Sequence, residues 1–293
     1  TKPPFLPFAL PEIGEEEIAE VVDALRSGWV TTGPKTRQFE QDFAAFLGED
    51  GLHAIAVNSW TSGLIAAVAA LGLEPGDEVI TTPWTMAATA TAILHNNAIP
   101  IFADIDPQTF HIDPAAVERL VTPRTRAILA ADIFGLSADM RALRAIADCH
   151  GLKLLTDTAQ SPGARYGSGF AGLFADIGGF SLNYHKHIHC GEGGILVTDD
   201  DRLAARLAMI RNHAEAVTTA QEASELAGML GYNFRLGEIE AAIASVQLDR
   251  LEERVASRQR VAAQLNAGLA GLSGLRTPQV ADGSTHVYYV YGM

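Results

Sequence analysis

The amino-acid sequence predicts an α/β fold, with a mainly parallel central sheet held between helices. Two observations carry this expectation. Seven short apolar runs recur along the chain, most of them lacking the alternation of a half-exposed strand. Helical patterns fill most of the gaps between them, an order that builds layered α/β sheets. A third observation concerns function. Polar residues cluster at the C-terminal ends of the runs, the edge where open α/β sheets bind ligands.

The predicted strands are, in order, HAIAVN (53–58), EVITT (78–82), IPIFAD (99–104), AILAAD (127–132), KLLTD (153–157), GGFSL (178–182) and GGILVTD (193–199). SGLIAAVAALGL (62–73) and ADMRALRAIADCHG (138–151) read as amphipathic helices, the second ending at Gly151 as a C-cap. The last two strands leave no room for a helix between them and are expected to form a hairpin or loop-linked pair. From Leu236 to about Leu272 a long polar–apolar helical pattern rich in Arg and Glu reads as a connector leaving the main domain. The expected division is a large ligand-binding α/β domain over residues 1–250, then a connector helix and the start of a smaller C-terminal domain over 251–293. THVYYVYGM reads as the opening strand of that unit, which is expected to be incomplete.

Composition excludes several classes. Hydrophobic residues at 48 % and charged residues at 19 % describe a globular chain, not a disordered one. A net charge of −14 argues against nucleic acid and anionic membrane surfaces as partners. The two cysteines, Cys149 and Cys190, cannot build a disulfide framework and fit a reducing cytoplasm. TKPPFLPFALPEIGEEE has Pro and acid where a signal peptide has basic and then apolar residues, and no apolar run approaches a membrane span.

Several segments could carry chemistry. NSWTSG (58–63) opens a helix with small hydroxyl residues, which can cap it or leave N–H groups for a phosphate. Trp84, in TPWTM after the second strand, could stack on a planar ring or pack in the core. Asp157 ends a buried strand with Gln160 three residues on, and a buried carboxylate needs a partner such as a protonated ring nitrogen or a helix start. Asn233 and Arg235 lie in a turn, GYNFRLGE, before the connector. GSGFAG (167–172) matches the dinucleotide fingerprint in letters only, because a loop precedes it and an apolar strand follows. In NYHKHIHCGEGG (183–194), read as a strand, His185, His187 and His189 share one face and Lys186 the other. Zinc on the histidines, a reactive lysine in a partly desolvated pocket, and a plain structural loop all stay open at this point.

Taken in order, the segments resemble the DegT/DnrJ-like sugar aminotransferases, pyridoxal-phosphate enzymes of fold type I. The resemblance runs from about Pro11 to the end. It rests on SGWVTTGP, NSWTSG, PGDEVITTPWTMAATATAIL, FADIDPQTFHIDP, DIFGLSADM, DTAQSPGARYG, FSLNYHKHIHCGEGGILVTDD, IRNHA and GYNFRLGEIEAAIASVQLDRL. The family pattern of serine, four residues, lysine and G-E-G-G falls on Ser181, Lys186 and Gly191 to Gly194. The resemblance implies that Lys186 forms the Schiff base with pyridoxal 5'-phosphate and serves as base for the proton shift. It implies that Asp157 pairs with the pyridine nitrogen, Trp84 stacks on the ring and Gln160 sits near the ring hydroxyl. Trp60, Thr61 and Ser181 would hold the phosphate, joined by Asn233 from a neighbouring subunit in a homodimer with shared sites. The implied reaction moves an amino group from glutamate to a keto- or aldehyde-sugar. The histidine-rich NYHKHIH resembles a sub-group that aminates C8 of a Kdo-type octulosonate. A sugar dehydratase of the same family, or a non-catalytic cofactor-binding regulator or inactive fragment, is the alternative. One departure stands out: the family usually has Gly where this chain has Trp60.

Overall fold

Strand order follows from the continuous apolar runs. In the computed structural model, which describes residue 5, residues 7–215 and residues 229–293, seven strands form one sheet in the order β1-β9-β8-β5-β4-β2-β3. They are β1 (His53–Val57), β2 (Glu78–Thr81), β3 (Ile99–Phe102), β4 (Thr125–Ala131), β5 (Lys153–Asp157), β8 (Ile177–Ser181) and β9 (Gly194–Thr198). β2, β3, β4, β5 and β8 run parallel, whereas β9 is antiparallel to both β8 and β1. The predicted β8–β9 pair is therefore present. A two-residue hairpin, β6 (Arg165–Tyr166) with β7 (Gly169–Phe170), holds the first half of GSGFAG. No helix follows it.

Helices cover both faces. α3 (Trp60–Ala70), α4 (Ala87–His95) and α7 (Asp201–Arg211) close one side over Leu64, Val68, Val79, Leu129 and Leu196. On the other side, α2 (Pro34–Leu47) and α8 (Glu238–Asp249) enclose Phe39, Phe43, Phe180, Ile195 and Leu248. There too, α5 (Pro114–Leu120) and α6 (Met140–His150) pack over Ile128, Met140, Leu143 and Leu154. Each large apolar side chain buried in these layers contributes about 1.5–3 kcal/mol. α1 (Glu15–Ser27) lies along α8, where buried Glu17 accepts from Gln247 Nε2 at 2.6 Å and from Arg250 at 3.0 Å.

Two expectations change here. The long connector pattern is two helices, α8 and α9 (Leu251–Leu269), parted at Arg250 with φ −99° and ψ 0°. α8 buries Ala241, Ala244 and Leu248 and belongs to the body of the fold, while α9 buries only Leu251 and Ala262. Composition alone concealed the joint, because no Gly or Pro marks it. THVYYVYGM forms no strand ladder among the described residues. It lies extended against the body, tied by single N–H bonds from Val287 to Gly135 O at 2.7 Å and from Val290 to Phe134 O at 3.2 Å. Arg258, on α9, donates to the carbonyl of Tyr288 at 3.1 Å.

Candidate active site

The parallel strands β4, β5 and β8 deliver Asp132, Asp157 and Ser181 to the same sheet edge. A cavity of about 230 Å³ opens there, lined also by Trp60, Thr61, Met86, Gln160, Asn183, His185, Lys186, Glu192 and Tyr289. Asp157 is 6 % exposed and has no cationic partner within salt-bridge distance among the described residues. Neutral donors stabilise it instead. Trp60 Nε1 donates to Oδ1 at 2.6 Å, the Thr89 hydroxyl to Oδ2 at 2.7 Å, and the Ala159 N–H to Oδ1 at 3.2 Å.

At the start of α3, Ser59 and Ser62 cap each other reciprocally: Ser62 N–H donates to Ser59 Oγ at 3.1 Å and Ser59 N–H to Ser62 Oγ at 3.2 Å. The sequence left capping and anion binding as alternatives, and the helix start has room for both. The cap engages Ser59 and Ser62, while the N–H groups of Trp60 and Thr61, the first two helical residues, meet no acceptor among the described residues. Free N–H groups on a first turn favour an anion. Ser181 closes this end of the cavity, its hydroxyl accepting from Asn183 N–H at 3.3 Å.

Lys186 sits in an irregular loop, not a strand, so the three histidines do not share a face. His185 lines the cavity. His187 is buried and joins Val287 O at 2.8 Å through Nε2, with Nδ1 unpartnered; burial, and then the nearby Arg258, pushes it down to about 3 and keeps it neutral. His189 Nε2 accepts from Glu12 N–H at 3.2 Å on the far side of the loop. Cys190 is buried, and burial raises its thiol above the ordinary range. No group of three or more His, Cys, Asp or Glu is placed to hold a metal ion among the described residues.

Lys186 Nζ stands 4.2 Å from the centre of the Tyr289 ring and makes no ion pair among the described residues. Lys35 and Lys153, by contrast, are paired with Glu20 and Asp176 at 2.6 and 2.9 Å. Burial pushes Lys186 down to about 8, opposed by the charge of Asp157. Burial likewise pushes Asp132 up to about 6, opposed by donors from Ala138 N–H and the hydroxyls of Thr158 and Thr156 and aided by the charge of Asp157. Gln160 lines the cavity while its Oε1 accepts from Phe134 N–H at 2.7 Å.

Of the residues singled out by sequence, Trp60, Thr61, Asp157, Gln160, Ser181 and Lys186 converge on this cavity. Trp84 does not. It is 49 % exposed and stacks on Phe110 at 6.3 Å, because the turn between β2 and α4 carries its ring away; Met86, two residues on, faces the cavity instead. Asn233 is exposed and outside the cavity of its own chain, its carbonyl accepting from Asn58 Nδ2 at 3.2 Å. Sequence reasoning missed Met86, Asp132, Asn183, Glu192 and Tyr289. Asp132 alone carried a usable signal, as the polar residue ending an apolar strand just as Asp157 does.

Comparison with known proteins places these features among relatives. The DegT/DnrJ/EryC1/StrS aminotransferase family matches residues 11–293. The chain is 40 % identical over 293 residues to the spore coat polysaccharide biosynthesis protein SpsC of Bacillus subtilis (strain 168), covering 98 % of this chain and 75 % of that protein. It is similar to S. venezuelae DesV, solved in complex with a ketimine intermediate, with 37 % identity, TM-score 0.87, and 94 % and 72 % of the two chains covered. Helicobacter pylori PseC, an aminotransferase involved in the biosynthesis of pseudoaminic acid, aligns with 28 % identity, TM-score 0.89, and coverage of 97 % and 76 %.

Proposed function

The chain belongs to the DegT/DnrJ/EryC1/StrS aminotransferase family of fold type I enzymes that depend on pyridoxal phosphate, and from that premise we propose that it moves an amino group from L-glutamate to a keto-sugar. One observation carries the reading: a lysine without an acid partner and a buried aspartate without a cation, among the described residues, line the same cavity. The cavity fits the cofactor. It offers free N–H groups and a hydroxyl to a phosphate, a carboxylate to a pyridinium and an amine to an aldehyde. Asn183 Oδ1 is buried without a partner there, an acceptor ready for a ligand donor.

In this reading the main chain of Trp60 and Thr61, with the Ser181 hydroxyl, holds the phosphate. Asp157 keeps the ring nitrogen protonated, and Gln160 lies beside the ring hydroxyl. When bound, pyridoxal phosphate supplies an aldehyde that exchanges amines and a ring that takes up an electron pair. Lys186 supplies the amine and carries the proton. With Lys186 at about 8, roughly a tenth of it is neutral at pH 7, far more than of an exposed lysine near 10.4. Met86 and Tyr289 supply apolar walls on either side.

The names of SpsC and PseC support a sugar substrate. Binding of the donor's carboxylates would draw on residues beyond this cavity's lining, for which a second copy is the source proposed. Exposed Asn233 and its neighbour Arg235 suit that role in a homodimer. His185, which lines the cavity beside Lys186, makes an octulosonate-type keto acid the first substrate to try. The test is a panel of nucleotide-linked keto-hexoses and octulosonate-type keto acids, incubated with protein, pyridoxal phosphate and glutamate. Formation of 2-oxoglutarate and of an amino-sugar is expected with one of them. Loss of water from the sugar without amination would favour the dehydratase, and no turnover with a cofactor-loaded dimer would refute the reading.

A further inference from the structure

Trp60 carries more than a main-chain N–H. Its indole is 7 % exposed and runs beneath the strand ends. It fits because two neighbours have no side chain. A Cβ on Gly179 would stand 2.2 Å from Cζ3 and Cη2 of the indole, and one on Gly63 2.7 Å from Cε3. Gly179 is the β8 residue that pairs with Asp157 on β5. The slot thus ends at the carboxylate, where Nε1 donates at 2.6 Å. Thr89 holds the second oxygen and is itself joined to Thr85 Oγ1 at 2.9 Å. A carboxylate offers about four acceptor positions. Three are taken by these donors and Ala159 N–H, which leaves one open on a residue that lines the cavity.

We propose that Trp60 is a positioning residue, whose indole N–H fixes the Asp157 carboxylate in the orientation that receives the ring nitrogen of the cofactor. This rests on the functional reading above. Without the indole donor, rotation of the carboxylate about its Cβ–Cγ bond is opposed only by Thr89 and Ala159, and its open lone pair leaves the cavity axis. Gly179 and Gly63 are then slot residues, small because the indole needs the space.

The test compares wild-type protein with Trp60→Phe, Asp157→Asn and, as a control outside the cavity lining, Trp29→Phe, each loaded with pyridoxal phosphate labelled with ¹⁵N in the ring. Trp60→Phe is expected to raise the dissociation constant of the cofactor about tenfold, the equivalent of one hydrogen bond. It is also expected to move the ring ¹⁵N resonance part of the way from the wild-type position to that of Asp157→Asn. Trp29→Phe leaves both unchanged. If Asp157→Asn moves the resonance and Trp60→Phe does not, the role of Trp60 is overturned while the functional reading stands. If Asp157→Asn itself leaves the resonance in place, the cofactor does not use Asp157 and both fall. Should Trp60→Phe fail to fold, the wild-type indole N–H groups decide. The chain has three tryptophans, and the resonances of exposed Trp29 and Trp84 are assigned from their Phe variants. The remaining signal is expected to be shifted downfield and protected from exchange in wild type, and to lose the downfield shift in Asp157→Ala, which removes the acceptor. Rapid exchange of all three in wild type overturns the proposal.

Discussion

Asp132 and Asp157 stand at the ends of adjacent parallel strands, one residue out of register, and their surroundings differ. The amide N–H of Asp132 donates to the carbonyl of Asp157 at 2.9 Å, so the two are held in one backbone frame. The Asp132 carboxylate is ringed by Ala138 N–H and the hydroxyls of Thr156 and Thr158, which fasten the 133–138 loop to the sheet. Asp157 is held by donors from α3 and α4, and both carboxylates line the cavity. Equivalent positions on a sheet edge thus diverge through what the following loops bring to them. The donors around Asp132 tie a loop to the sheet, and in the proposed function it is Asp157 that meets the ligand.

The sharpest way to break this contrast is to neutralise each in turn. Asp157→Asn is expected to lower turnover by about 10²–10⁴-fold, the range of a lost proton-holding or electrostatic partner. Asp132→Asn is expected to stay within about tenfold, and equal losses in steady-state assays of the two variants would erase the distinction. A smaller effect tests the loop that Asp132 fastens. Gly135 has φ +112°, and a Cβ there would lie 2.8 Å from the main-chain nitrogens of Tyr288 and Tyr289. Gly135→Ala is expected to cost on the order of 1–3 kcal/mol in urea unfolding and to weaken turnover by displacing Tyr289 from Lys186. Unchanged stability would mean that the C-terminal segment does not depend on that approach.

A stability effect of similar size concerns pH. The carboxyl of Asp132 is raised from 3.8 to about 6 in the folded protein, so between these values the native state binds more protons than the unfolded chain. Its contribution is therefore most favourable below about pH 4 and is lost as pH rises through 6. The stability of Asp132→Asn relative to wild type should improve by roughly 2–3 kcal/mol between pH 4 and pH 7. A pH-independent difference in matched denaturant titrations would show that Asp132 is not buried as an acid.

Residues on regular elements were legible in the sequence. Asp157 and Ser181 end apolar strands, and the start of α3 is announced by its serines. Lys186 was singled out through the resemblance, by the family spacing from Ser181 and the glycines after it, and it lines the cavity, although the loop itself was misread as a strand. Where the backbone is irregular, phase is lost. The turn after β2 sets Trp84 on Phe110 and puts Met86, which sequence reasoning missed, in the cavity lining. Tyr289 was hidden because alternating aromatic and β-branched residues look like a strand, whereas here they lie along a body that supplies single hydrogen bonds. The indole–carboxylate contact of Trp60 was equally out of reach, since it depends on bare backbone at Gly63 and Gly179, far apart in sequence.

The central claim is that Lys186 is the amine that meets the cofactor. Borohydride reduction of the protein loaded with pyridoxal phosphate, followed by peptide mass spectrometry, tests it directly. One phosphopyridoxyl group per chain is expected on Lys186, absent in Lys186→Arg and lost when glutamate is added before reduction. Label on Lys35 or Lys153 instead, or labelling that survives in Lys186→Arg, would contradict the account.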